Sequence, residues 1–199
     1  DRVVLFVHGA GTPAEVAFDT PHSDYSWMAY LAAAGFDVFA MDMTGYGRST
    51  RPNAMNNVCN LSAEQQGALG RAPCNATLTA QLTTIASDWD DLDAVVDYIR
   101  ALRDVPSVSL IGWSLGGPRA GGYAARNPAK VAKLVLLAPA YSRESGQQPP
   151  SPSPAVGAAF NAQSQAESVA NWDRQVGCAG QYDPAVAAAV WAAMLESDP

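Results

Sequence analysis

The pentapeptide Gly112-Trp113-Ser114-Leu115-Gly116 is the part of this chain best suited to covalent chemistry. It follows the apolar run Ser107 to Ile111 and precedes a stretch with helical character, Leu115 to Arg126, that carries Pro118 in its first turn. G-x-S-x-G at a strand-to-helix junction is a nucleophile elbow. The glycines let strand and helix approach closely, and the serine occupies a strained turn that points its Oγ off the carboxyl edge of the sheet. The same turn aims the N–H of Leu115 at the space above Ser114, which supplies half of an oxyanion hole. The competing reading is a serine that only caps the helix. Trp113 is expected chiefly to pack beside the elbow and is the candidate substrate contact there.

A serine nucleophile needs a base to take its proton and an acid group to orient that base. The chain has two histidines, His8 and His22, and none follows Ser114. His8 sits in His8-Gly9-Ala10-Gly11 directly after an apolar run, and His22 follows Pro21 in a loop near the same strand end. His22 reads as a solvated loop residue, with a substrate contact or an unusual base as the alternatives. The acidic cluster Asp88, Asp90, Asp91 and Asp93 could suggest a metal. It falls in the first turns of a helix, where carboxylates complement the dipole. No metal and no cofactor is expected.

Around these residues the pattern alternates. Residues 2–7 read as a strand buried on both faces and 36–41 as a second buried strand, with Ser107 to Ile111 and Lys133 to Ala138 as a third and a fourth strand. Ser23 to Ala34 reads as a helix stopped by Gly35. Ile85, Trp89, Leu92, Val95, Val96, Ile99 and Leu102 place one apolar stripe on a long helix that Pro106 ends. This alternation predicts an α/β fold with a mostly parallel sheet and helices on both faces. Between the second strand and the long helix, residues 48–80 are polar, with Ser62-Ala63-Glu64-Gln65 signalling one short helix. A connection this long is usually functional or an insertion. Residues 1–139 are expected to form the core. Residues 140–199 read as a Ser-, Gln- and Pro-rich linker at 142–155 and the start of a helical cap, with helices at about 155–172 and 183–196.

Three motifs, in order, resemble the α/β-hydrolase superfamily over roughly residues 1–140: His8-Gly9-Ala10-Gly11, Asp42-Met43-Thr44-Gly45-Tyr46-Gly47-Arg48-Ser49, and the elbow at Ser114. The resemblance implies an α/β-hydrolase fold, here incomplete. It implies that His8 braces the oxyanion loop and that the second oxyanion donor is the N–H of Ala10, or of Gly11. The second motif would be a structural turn after its strand. Serine at the elbow argues against dehalogenase and epoxide-hydrolase chemistry, where the family uses Asp. In the superfamily an Asp or Glu and then a His follow the serine, after the cap. No histidine follows Ser114 here, and the strands expected to carry the late acid and the histidine are not found. With a chain that opens within a strand, this implies the middle of a longer enzyme or one chain of a cleaved one. A further segment or second chain of the same gene product would then carry both groups.

The activity implied is hydrolysis of a small ester-like substrate through an acyl-enzyme on Ser114, with amide, thioester or carbon–carbon cleavage as variants. The alternative is a non-catalytic binding or interaction protein on the same fold. Composition narrows the field further. With 12 Lys+Arg against 19 Asp+Glu, the net charge of −7 disfavours nucleic acid as a partner. No run of about 18 apolar residues reads as a membrane span. Of the three cysteines, Cys59 and Cys74 bracket a loop of Asn, Gly, Ala and Pro and are expected to pair. Such a bridge implies a secreted or periplasmic setting and leaves Cys178 over. The sequons at Asn60 and Asn75 carry little weight, since about one chance match is expected.

Overall fold

The computed structural model describes residues 2–78, 80–140 and 158–197. Strand β1 (Val3–Val7) is apolar at every position because it lies in the middle of the sheet and buries both faces. It pairs in parallel with β2 (Asp37–Met41) on one side and β3 (Val108–Trp113) on the other. β4 (Val131–Leu137) completes the order β2-β1-β3-β4. Val7 stands opposite both Met41 and Gly112, so three strands end level at their carboxyl edge. The three motifs leave the sheet there, side by side. β3 runs two residues further than its apolar run suggested, because Trp113 still pairs with Leu137 of β4.

Helices cover both faces of the sheet at its centre, around β1, whereas β4 is largely exposed and is not the buried strand at one edge that its apolar run would suggest. Val3, Leu5 and Val7 point toward α4 (Ile85–Arg103) and α5 (Gly116–Arg126) and share a core with Leu92, Val96, Ile99, Leu110 and Tyr123. Val4 and Phe6 point the other way, toward α1 (Ala14–Phe18) and α2 (Trp27–Ala33), with the Phe6 and Phe18 rings 4.5 Å apart. Helix α4 matches its apolar stripe and is opened by a reciprocal cap between Thr84 and Ser87. Helix α2 begins later than expected, at Trp27, because the Ser26 hydroxyl caps it by accepting from the N–H of Ala29. Helix α1 is too short to leave a periodicity in the sequence.

The long polar connection is ordered by polar side chains at its centre. It contains two 3₁₀ turns, Asn53–Asn56 and Val58–Asn60, and then α3 (Ala63–Ala68), capped by Ser62. The Cys59–Cys74 disulfide is formed. Inside the bridged loop, the Gln66 side chain donates to the Leu61 carbonyl (2.9 Å) and accepts from the Cys74 N–H (2.8 Å). The buried Asn60 side chain accepts from the N–H groups of Thr77 (2.8 Å) and Leu78 (3.0 Å) and donates to the Ala54 carbonyl. That amide is a structural strut, which removes Asn60 from consideration as a glycan acceptor.

The tail holds α6 (Gln165–Asp173) and α7 (Pro184–Ser197), and Cys178 between them is exposed and unpaired. The expected helix from about residue 155 is corrected here. Its described part starts only at Gln165, where Ser164 and Glu167 cap each other. Upstream, the backbone is committed to the bridged loop and its neighbour: the Ala159 N–H donates to Asn60, its carbonyl accepts from Leu82, and the Ala162 carbonyl accepts from Gln65. Those bonds replace helical ones. The linker read at 142–155 lies outside the described residues. No described helix is long and apolar enough to cross a membrane.

Replacing both Cys59 and Cys74 by Ser should lower unfolding free energy by about 3 kcal/mol, the chain-entropy value for a loop of this size. Denaturant titration of the oxidised parent and the double variant measures it.

Candidate active site

Ser114 joins β3 to α5 in the left-handed region, with φ 54°. A non-glycine residue held there costs on the order of 1–3 kcal/mol and persists only where its surroundings over-determine it. They do so through the backbone. The Ser114 N–H donates to Leu137 at the end of β4 (3.0 Å), and its carbonyl accepts from Gly117 (2.9 Å) and Ala140 (2.8 Å). The flanking glycines are required by contact. A Cβ on Gly112 would strike the Gly116 carbonyl, and a Cβ on Gly116 would strike the carbonyls of Val7 and His8. The Ser114 side chain is half-buried, and its Oγ has no hydrogen-bond partner among the described residues. Its hydroxyl caps nothing: α5 has no side-chain cap bond at its start.

Two N–H groups near the elbow are also without acceptors among the described residues: Leu115, which opens α5, and Ala10, in the loop after β1. The alternative donor, Gly11, gives its N–H to the Tyr46 hydroxyl at 3.4 Å. The loop carrying Ala10 is fixed from beneath. The Met43 N–H donates to His8 Nε2 (3.0 Å), so the proton resides on Nδ1, which donates to the Gly9 carbonyl (2.7 Å). Both ring nitrogens are therefore used inside the protein, and His8 has no atom left to serve Ser114. Its pKa is pushed down to about 4, first by burial and then by the nearby Arg119 charge. The Tyr46 ring packs edge-on against it at 4.7 Å.

The turn after β2 supports the same loop. Asp42 accepts from the Ala14 N–H (2.7 Å) and from the Arg48 N–H (3.0 Å), while Gly45 and Gly47 take positive φ. The four acidic residues of α4 diverge. Asp88 pairs with Arg119 of α5, Asp91 accepts from the Thr44 N–H, and Asp93 holds the Tyr123 hydroxyl and Lys130. The dipole reading is thus incomplete, since three of the four carboxylates have specific partners.

A sequence profile of the alpha/beta hydrolase fold matches residues 2–183. The chain belongs to the α/β-hydrolase fold family. Among solved structures it is similar to the Paleococcus ferrophilus monoacylglycerol lipase, at 22% identity and TM-score 0.46 over 74% of this chain and 42% of the lipase. A carboxylesterase of the thaumarchaeon Nitrososphaera gargenis is similar at 19% identity and TM-score 0.45, over 69% of this chain and 37% of that one. The thioesterase domain of the curacin biosynthetic pathway follows at 20% identity and TM-score 0.46, over 72% and 40%. The chain thus spans less than half the length of each of these proteins.

Within this α/β-hydrolase framework the remaining sequence candidates are placed as follows. Trp113 lies against the core cluster beneath α1, edge-on to Phe18 with ring centroids 6.5 Å apart, which is a packing position. His22 is not merely solvated. Its Nε2 lies 3.0 Å from Asp183 Oδ2, and its ring meets Tyr25 edge-on, so it ties the loop after α1 to the start of α7. The Asp183 carboxyl is held below the usual carboxylate range, first by the Ala185 N–H and then by His22. No hydrogen bond joins either histidine to Ser114. Sequence reasoning missed Arg119 and read its partner Asp88 only as one of the helix-dipole carboxylates; both are almost fully buried. The available signal was a lone charged residue in a run of small residues and proline, Gly116-Gly117-Pro118-Arg119-Ala120-Gly121-Gly122, directly after the elbow.

Because neutral His8 is favoured only in the folded state, the unfolded chain binds its proton first as pH falls below about 6.5. Stability conferred by His8 is complete above that value and declines toward pH 4, by about 3 kcal/mol in total. Urea midpoints of the parent should fall across this window, and His8→Gln should flatten that dependence.

Proposed function

We propose that the protein is a serine hydrolase that cleaves a carboxylic ester, or a related acyl bond, through an acyl-enzyme on Ser114. The observation that carries this reading is the left-handed Ser114 whose Oγ, like the N–H groups of Leu115 and Ala10 beside it, has no partner among the described residues. Ser114 Oγ attacks the carbonyl carbon and gives up its proton to a base. The carbonyl oxygen becomes an oxyanion, accepted by the Leu115 and Ala10 N–H groups. Collapse expels the alcohol, which takes the proton, and water then releases the acid by the same steps in reverse order.

The base and its orienting acid come, in this proposal, from a further segment or second chain of the same gene product. His8 has both ring nitrogens occupied, and His22 makes no hydrogen bond to Ser114, its Nε2 meeting Asp183 instead, so neither is placed to take the Ser114 proton. The edge strand β4 also exposes Leu134, Val135 and Leu136, an apolar row suited to packing with added structure. That no base is hydrogen-bonded to Ser114 among the described residues favours one competing reading, a non-catalytic binding protein on this fold. The Cys59–Cys74 bridge supports an oxidising location, secreted or periplasmic.

Ser114→Ala should abolish hydrolysis of p-nitrophenyl acetate by the full active protein, a loss of about 10⁴–10⁶ in rate, with unchanged circular dichroism. Residual activity within about tenfold of the parent would sink the assignment. A fluorophosphonate probe followed by intact-mass analysis separates hydrolase from binding protein, since only an activated serine is labelled. A second expectation concerns composition: peptide mapping of the active species should recover an Asp or Glu and a His from sequence beyond these 199 residues. An active species made of this chain alone would refute it and direct attention to His22.

A further inference from the structure

We infer that Arg119, held by Asp88, is the positioning residue of the oxyanion hole, fixing the Gly9–Ala10 peptide so that the Ala10 N–H faces the carbonyl bound above Ser114. This role rests on the serine-hydrolase reading. Arg119 Nη1 donates to two consecutive carbonyls just past the end of β1, His8 (3.0 Å) and Gly9 (3.1 Å). Its Nε donates to Asp88 Oδ2 at 2.7 Å, and both side chains are only 3% exposed.

The geometry of one peptide unit turns these contacts into a functional constraint. The Gly9 carbonyl and the Ala10 N–H belong to the same planar amide, and no peptide bond in the described residues is cis. In a trans amide the C=O and N–H vectors point in opposite directions. Two donors on the Gly9 oxygen, Arg119 Nη1 and His8 Nδ1, therefore set the direction of the Ala10 N–H on the far side. A charged donor on the oxygen also polarises the amide and strengthens its N–H as a donor.

The two halves of the hole then share one rigid reference. The Leu115 N–H opens α5, and Arg119 stands one turn further along the same helix. Movement of the loop relative to the elbow is resisted by the guanidinium that spans them. Stability alone gives little reason for the arrangement, because well-packed apolar residues commonly replace a buried ion pair without loss. Asp88 Oδ1 is buried and unpartnered among the described residues, so the pair is not optimised for its own hydrogen bonding. What its geometry does satisfy is the pair of loop carbonyls.

The test compares the full active protein with D88N/R119M and R119K, using p-nitrophenyl acetate as substrate and phenylboronic acid as a tetrahedral mimic. The double variant removes both charges together and leaves no lone buried ion. It should keep the parent's circular dichroism, lose about 10²–10³ in kcat, the range for losing one oxyanion donor, and hold KM within about threefold. The inhibition constant of phenylboronic acid should rise with the loss in kcat, a change that a purely structural pair would not produce. A folded double variant whose kcat and boronate affinity match the parent overturns the inference. Should that variant not fold, R119K decides. A compact ammonium cannot span the carboxylate and two carbonyls as the planar fork does, so kcat should fall at least about tenfold with KM unchanged, and a parent-like kcat overturns the inference. If the parent neither turns over the ester nor is labelled at Ser114 by the fluorophosphonate, the hydrolase reading falls and this inference falls with it.

Discussion

Helix α5 meets the carboxyl end of β1 so closely that the carbonyls of Val7 and His8 occupy the space a side chain at position 116 would need. Much of the site depends on that approach. It requires glycine at 116 and, for the tight return from β3, glycine at 112. It forces the residue between them into a left-handed turn, with Ser114 held by backbone bonds to Leu137, Gly117 and Ala140. The same proximity lets a side chain on α5 reach the loop after β1. Arg119 does so, and the loop that carries Ala10 is thereby tied to the helix that carries Leu115.

The electrostatics beneath the sheet edge are arranged around a neutral imidazole. His8 is buried and close to the Arg119 guanidinium, and both conditions disfavour its protonation. Neutrality fixes the tautomer: one nitrogen accepts from Met43 and the other donates to Gly9. A protonated ring could not accept the Met43 N–H, and the link between the first and second motifs would break. Asp88 compensates the buried Arg119 cation, while Asp42 and Asp91 receive N–H groups from the neighbouring turns. Asp42 and Asp91 thus restrain the turn after β2 and the start of α1, and Asp88 holds the guanidinium that reaches the loop beside Ser114.

The tail is attached by polar contacts as well as by the burial of Ala158, Ala159 and Val186. Asn60, inside the bridged loop, receives the Ala159 N–H on its carbonyl, and Gln65 reaches Ala162. His22 meets Asp183 at the start of α7. The disulfide matters in this setting because it limits the freedom of the loop to which the returning chain is bonded. One covalent constraint on residues 59–74 thereby steadies contacts that lie far away in sequence.

The elements were legible in the sequence because buried parallel strands write continuous apolar runs, and amphipathic helix α4 writes a stripe. The elbow was legible because its requirements are local: glycines where no Cβ fits and a serine between them. The expectation that Cys59 and Cys74 pair came from an equally local cue, two cysteines in a polar loop. Short helix α1, the late start of α6 and the partnership of His22 with Asp183 were not legible. Each depends on a hydrogen bond to a residue distant in sequence, such as Asp42 to Ala14 or Asn60 to Ala159. Arg119 marks the boundary most clearly. Sequence alone determined that a cation sits among small residues one turn beyond the elbow. Only the folded chain brings that cation to Asp88 and to the carbonyls of His8 and Gly9, because periodicity and local motifs do not encode which distant groups a long side chain will meet.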